Sequence, residues 1–335
     1  MIRPLAAAAV AAALVCSPRV VSPAHAQAPS PSPSPSPSAS PATPAAAPSI
    51  KPFTLEVDVD VVSVTAVVHD KAGKFVRGLG PKDIEVLEDG VRQEVSYFRE
   101  VSGPAAEKIP LSVVMVLDAS GSMRTNMHFL QEAAMTFVHK LEDVDTALVV
   151  DFNEGVRGSM DFTGDSDRLD QFVEALQAWG GTALYDAIQY GLNRIKNEAG
   201  RKAVIVFSDG ADNRSSIGEQ ELLDYARSVE ATVYCVGIRG ESGLLARSPR
   251  GFMRKLAKET GGDFFFPDRV GDLIKVFAGI SDELHNHYLL AYTPHRAPDG
   301  SWRTIEVRLK HPDNEIRVRK GYFAVKRRRP APTSG

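Results

Sequence analysis

From Leu111 onward, short runs of uninterrupted apolar residues alternate with stretches whose apolar positions recur every three or four residues, and this alternation restricts the possible folds more than any other feature. Runs such as Val113-Val114-Met115-Val116-Leu117 and Val204-Ile205-Val206-Phe207 have no polar face. Each therefore needs cover on both sides, as in a parallel sheet whose crossover helices lie on both faces. Strands are expected over 111–117, 146–152, 156–162, 203–207, 232–238 and 263–266, and helices over 123–141, 167–178, 183–197, 219–230, 251–260 and 270–286. The expected fold class is α/β, with a doubly wound, mainly parallel sheet.

The segments flanking this region read differently. Leu55, Val57, Val59 and Val61, then Val62, Val64, Ala66 and Val68, repeat with a period of two and one change of face, which is strand behaviour. Asp70 to Gly73 supplies a turn. The run from Ile84 to Glu88 leads into Asp89-Gly90, a dipeptide suited to the left-handed positions of a tight hairpin, before a further strand over 94–98. Beyond His287, strands are expected over 288–292, 304–309 and 316–319. Neither flank has enough strands to cover its own apolar face. Residues 52–101 and 287–325 are therefore expected to combine as one small β-sandwich-like module beside an α/β domain of 108–286, a join that neighbouring domain ends permit.

The first 26 residues have the form of a secretory signal: Arg3, an apolar stretch from Leu5 to Val15 too short to span a bilayer, then Ala24-His25-Ala26 as a cleavage sequence. Export to the periplasm, the cell surface or beyond is expected, with no membrane-spanning segment after cleavage. Cys16 loosely resembles a lipid-acylation site, although Val15 departs from the usual small residue before it. Residues 27–50 are a Pro-, Ser- and Ala-rich spacer favouring extended polyproline geometry; at ~3.1 Å per residue, its low-complexity stretch reaches about 60 Å. Residues 326–335 form a basic tail, expected to be solvated. With the signal removed, Cys235 has no partner in the chain and, within an apolar run, is expected to be a buried thiol. A net charge of −3 across 335 residues argues against nucleic acid as a partner.

Asp118-Ala119-Ser120-Gly121-Ser122 follows directly on the first buried strand, at the carboxyl edge where open α/β sheets place their sites. A carboxylate and two hydroxyls at alternate positions are hard oxygen ligands that suit Mg²⁺. Two further segments fall at the same kind of edge: Gly180-Gly181-Thr182 before a helix, and Ser208-Asp209-Gly210 after the strand 203–207. Taken singly, each has an ordinary reading, as helix caps at Asp118, Ser120, Ser122 and Thr182 and as a turn at Asp209-Gly210. Asp212 and Asn213 read as loop hydrogen-bonders.

Together, Asp118-x-Ser120-x-Ser122, Thr182 and Asp209 resemble, in order and context, the metal-ion-dependent adhesion site of von Willebrand factor A domains, over roughly residues 108–285. The resemblance implies that Ser120 and Ser122 bind a divalent ion directly, and that Asp118, Thr182 and Asp209 do so directly or through water. It also implies that a partner's carboxylate takes the open position. The flanking Ile84-Glu85-Val86-Leu87-Glu88-Asp89-Gly90 and Arg319-Lys320-Gly321-Tyr322-Phe323 resemble bacterial von Willebrand A-related proteins known chiefly from Acidobacteria.

Rival chemistries fit the residues less well. A Mg²⁺-dependent phosphatase of the haloacid-dehalogenase type would place a second Asp where Ser120 stands. A serine hydrolase would set its nucleophile in Gly-x-Ser-x-Gly, whereas Ala119 precedes Ser120 here. His285-Asn286-His287 falls at an expected helix end with no second ligand cluster beside it. The expected function is non-enzymatic: five ligands hold Mg²⁺, Mn²⁺ or Ca²⁺, and an Asp or Glu of a partner protein completes the coordination. The alternative is a structural envelope protein whose metal only stabilises the fold. The loop 239–250, with Arg239, Arg247 and Arg250, is expected at the same edge, where it would steer an acidic partner.

Overall fold

The computed structural model describes residues 61–103, 109–238, 250–310 and 313–325, all within one compact unit. The expected export signal with Cys16, the spacer, residues 53–60 of the alternating stretch, most of the arginine-bearing loop (239–249) and the basic tail lie outside the described residues. No helix among the described residues is long and apolar enough to cross a membrane.

In chain order the elements are β1 (Val62–His69), β2 (Ile84–Glu88), β3 (Val91–Gln93), β4 (Val95–Val101), β5 (Leu111–Asp118), α1 (Met127–Val138), β6 (Thr146–Phe152), β7 (Val156–Ser159), α2 (Ser166–Glu174) and α3 (Leu184–Ile195). They continue with β8 (Arg201–Ser208), α4 (Glu219–Ser228), β9 (Thr232–Gly237), α5 (Arg250–Thr260), β10 (Phe264–Phe265), α6 (Leu273–His285), β11 (His287–Tyr292), β12 (Trp302–Leu309), β13 (Glu315–Arg317) and β14 (Gly321–Phe323).

A six-stranded sheet in the order β10-β9-β8-β5-β6-β7 forms the centre, parallel except where β7 runs back along β6. The unbroken apolar runs are explained by its two faces. Val113, Met115 and Leu117 of β5 pack with α1, α2 and α6, while Val114 and Val116 pack with α3, α4 and α5. Each helix turns a stripe inward; in α3 this is Leu184, Ala187, Ile188, Gly191, Leu192 and Ile195. The fold class is α/β with a mainly parallel sheet.

Two antiparallel four-stranded sheets, ordered β13-β1-β11-β4 and β14-β12-β2-β3, stand beside it. Each draws strands from both flanks of the α/β region: β11 lies between β1 and β4, and β12 pairs with β2. The alternating side chains Val62, Val64, Ala66 and Val68 of β1 meet Ile84, Val86, Tyr288, Leu290, Ile305 and Val307 in one shared core. Asp89, at φ 47°, and Gly90, at φ 80°, form the tight β2–β3 hairpin turn. The α/β region leaves this module after Val101 and returns at His287, and those two residues are directly paired.

Some element bounds differ from expectation. The helix expected from 123 starts at Met127, after a 3₁₀ turn over Gly121–Met123. Met123 N–H donates to the Ser120 carbonyl and Asn126 N–H to that of Met123, tight turns that hold Ser120 and Ser122 outside the α-helix. The strand expected to 162 ends at Ser159, beyond an irregularity opposite Asp151 and Phe152. Strands β3 and β14, three residues each, were not expected.

Candidate metal centre

Strand β5 ends on Asp118, whose side chain is wholly buried. Its Oδ1 accepts the Ser120 backbone N–H at 2.8 Å, and its Oδ2 accepts the Ser208 hydroxyl at 2.5 Å. Ser208 is itself anchored, since its Oγ accepts the Gly210 N–H at 2.9 Å. The Ser120 and Ser122 hydroxyls lie 3.1 Å apart. Asp118, Ser120 and Ser122 therefore converge, as their alternate spacing suggested.

Thr182 arrives from another direction. It is nearly buried; its N–H donates to Asn213 Oδ1 at 3.0 Å, and its carbonyl accepts the N–H groups of Asn213 and Arg214. This ties the Thr182 loop to the loop after β8, which carries Asp209. Asp212 Oδ2 accepts the Tyr185 N–H, and Asp186 accepts those of Ser216 and Ile217, so the same loop is stitched to the start of α3. The first loop is joined to the second as well: Gly121 N–H donates to the Gly180 carbonyl at 3.0 Å and Trp179 N–H to that of Ala119 at 2.9 Å. A side chain at Gly181 would meet Asn213 Oδ1 at 2.8 Å and Arg214 Cγ at 2.9 Å, so glycine permits this close approach.

Burial pushes the Asp118 carboxyl up to about 7; hydrogen bonds from Ser120 and Ser208 oppose the rise and the neighbouring Asp209 adds to it. Among the described residues, no Lys or Arg pairs with Asp118 or Asp209. A buried carboxylate with a second acid beside it and no cation is a poor arrangement by itself, and a divalent ion would supply the missing positive charge. The donor set of two carboxylates and three hydroxyls thus fits a hard divalent cation.

Asn213, read as a loop hydrogen-bonder, holds Thr182 in that way. The sequence reading missed two other supporting residues: Ser208 holds Asp118, and Asn153 accepts the Ala183 N–H through its carbonyl. The local signal for Ser208 was its place just before Asp209 at a strand end; Asn153 offered none.

His285 does have acidic neighbours, contrary to expectation, because Asp145 and Glu142 reach it from a distant loop. His285 Nε2 stands 2.9 Å from Asp145 Oδ2, and Nδ1 is 2.8 Å from the Ser281 carbonyl. Burial lowers the His285 pKa, but those hydrogen bonds outweigh it and hold the ring above its ordinary value. Asp145 also accepts the backbone N–H groups of Leu111 and Glu142 and is held below the usual carboxylate range against the effect of burial. Each polar atom of this His–Asp contact is thereby used in joining the end of α6 to the starts of β5 and β6. Cys235 is fully buried, and burial raises its thiol well above the ordinary value.

A family model for the von Willebrand factor type A domain matches residues 113–211, a span that contains Asp118, Ser120, Ser122, Thr182 and Asp209. An uncharacterized protein of Borreliella burgdorferi is 26% identical over 157 residues, which are 41% of this chain and 46% of that protein. The chain thus spans about half the length of that relative. Among solved structures, a von Willebrand factor type A protein from Catenulispora acidiphila is 16% identical, with a TM-score of 0.47, 77% of this chain and 71% of that one being covered. An aerotolerance-related membrane protein from Bacteroides fragilis is 18% identical, with a TM-score of 0.43, over 52% of this chain and 99% of that one. The von Willebrand domain of the type V pili tip protein Mfa5 from Porphyromonas gingivalis is 16% identical, with a TM-score of 0.42, over 53% and 96% respectively. The family match, the parallel sheet and the placement of the matched residues at its carboxyl edge lead to one conclusion: the chain carries a von Willebrand factor type A domain.

Proposed function

We propose that this chain is an exported, non-enzymatic binding protein whose Asp118, Ser120, Ser122, Thr182 and Asp209 hold a divalent cation, Mg²⁺ first, at the carboxyl edge of the sheet. The observation that carries this reading is the convergence of three loops on buried Asp118, each loop hydrogen-bonded to another. When bound, the ion supplies an open coordination position for an Asp or Glu carboxylate of a partner protein. Only two of the five proposed ligands are charged, so the ion's charge stays less compensated than in an all-carboxylate cage. Ser208 and Asn213 orient Asp118 and the Thr182 loop, as supporting shells do in metal sites. Support for protein binding comes from the von Willebrand A domain itself, and support for export comes from the first 26 residues.

The test is calorimetric titration of Mg²⁺ or Mn²⁺ into the folded chain and into Asp118→Ala and Thr182→Ala variants. Saturable binding that both substitutions weaken is expected. Equal affinity in all three proteins would remove the site.

A further inference from the structure

Trp179 stands immediately before the Gly180-Gly181-Thr182 loop, and 49% of its surface is exposed. A large apolar ring left half in water gains little for the fold, yet this one is held in place. Its N–H donates to the Ala119 carbonyl, the residue after Asp118. The Arg157 guanidinium lies over the indole, 5.2 Å from the ring centroid. Arg157 in turn donates to the Gln177 carbonyl at 3.0 Å and lies 3.6 Å from the nearly buried Asp151. Backbone and one side-chain neighbour therefore fix the ring while much of its surface stays open.

The spacing to the proposed metal centre matters as much. Trp179 and Thr182 are three residues apart, at most roughly 10 Å along the backbone. Both residues between them are glycines, and the Glu154 side chain packs against them, its Oε1 accepting the Gly181 N–H at 3.3 Å. On the far side of the glycines, Arg214 packs within 3 Å of where a Gly181 side chain would stand and lies 3.6 Å from Glu154. The surface beside the centre thus offers one rigid aromatic ring and two guanidinium groups, with the Glu154 carboxylate between the glycines and Arg214.

We infer that Trp179 is a second anchor for the partner, which presents an Asp or Glu with an aromatic or aliphatic side chain within about three residues of it along an extended segment. This rests on the metal-bridged reading above and specifies its ligand. The acid occupies the metal centre, and the apolar side chain packs on the open part of the indole. Arg157 acts as a positioning residue that keeps the ring in place. Rigid tryptophan with arginine beside it is the composition enriched at the energetic centres of protein interfaces.

The experiment uses the folded chain with Mg²⁺ and a displayed library of random short peptides, eluted with chelator. Enrichment of sequences in which an acid has an apolar neighbour is expected. Synthetic peptides taken from that set should bind about tenfold more weakly to Trp179→Ala, while the Mg²⁺ affinity of that variant is unchanged. Enrichment of acids without apolar neighbours, or peptides that bind Trp179→Ala as well as the parent, overturns the anchor and leaves the metal reading standing. Failure of the parent chain to bind Mg²⁺ overturns the metal reading and the anchor with it. Normal Mg²⁺ binding with no enriched peptide overturns the anchor alone.

Discussion

Tyr322 donates its hydroxyl to the buried carboxylate of Glu88 at 2.8 Å, across 234 positions of sequence. Tyr292 donates to the same oxygen at 2.9 Å, and Arg303, only 1% exposed, approaches the other at 3.2 Å. The two short flanking sequences singled out for their resemblance, one ending in Glu88-Asp89-Gly90 and the other containing Gly321-Tyr322-Phe323, therefore meet in space. One buried acid joins β2, β11, β12 and β14.

Removing that acid should destabilise the sandwich strongly, because buried Arg303 would lose its buried counter-charge and keep only the more exposed Asp299, 3.4 Å away. Glu88→Ala is expected to lose about 3–5 kcal/mol in urea denaturation, and Tyr322→Phe about 1–3 kcal/mol. A Glu88→Ala protein as stable as the parent would show that the ion pair adds nothing net.

Divalent binding should appear as stability. At a Mg²⁺ concentration one hundred times the dissociation constant, the chain should gain about 2.7 kcal/mol, seen as a rise in Tm. Asp118→Ala should show no such rise, with its far-UV dichroism unchanged. A rise of equal size in that variant would place the ion elsewhere.

How much of this was legible depended on the range of the interactions. Thr146–Phe152 has the bounds expected of it, because a run buried on both faces announces itself locally. Asp118, Ser120 and Ser122 share a local spacing that pointed to one site. The pairing of the two flanks followed from the bare apolar faces each would otherwise show. Strand β14 escaped because three residues beginning with glycine have no alternation to read. The acids facing His285 escaped because Asp145 lies 140 positions away and becomes a neighbour only when the end of α6 reaches the starts of β5 and β6. The exposure of Trp179 was equally hidden, since an aromatic before two glycines reads the same whether buried or open.

The His285–Asp145 contact predicts a pH dependence. His285 has a folded value raised above 6.5, so its contribution is complete below pH 6.5 and is lost as pH rises through that raised value. Asp145 has a folded value lowered from 3.8, so its contribution is present above pH 3.8 and is lost as pH falls through the lowered value. The stability difference between the parent and His285→Gln should therefore shrink from pH 6 towards pH 9, by urea midpoints. His287, which burial holds down at about 2, does not titrate across that range, nor does the buried Arg201 nearby change charge between pH 6 and 8. A difference that stays constant across that range would mean His285 is not charged in the fold.

The shared module gives a further expectation. A chain ending at residue 286 lacks β11 to β14, so Val62, Val64, Ala66 and Val68 lose the strands they pack on. Limited proteolysis should then cut within residues 62–101 while the α/β region persists. Protection equal to that of the full chain would show that the amino-terminal strands fold without the carboxyl-terminal ones.

Because Val101 and His287 are neighbours in one sheet, the order of synthesis sets the order of folding. The amino-terminal strands are made first, yet Glu88 must wait for Tyr292, 204 residues later, before its charge has a buried partner. In that interval the α/β domain can form from contacts among its own residues, while β1 and the outer edge of the β2–β3 hairpin remain an unpaired, apolar surface. The sandwich is then the last part to close, and its closure depends on contacts of very long sequence separation, the kind that folds slowly and leaves strand edges open to wrong partners. Whatever receives this chain as it emerges must shield those first strands until the last ones arrive.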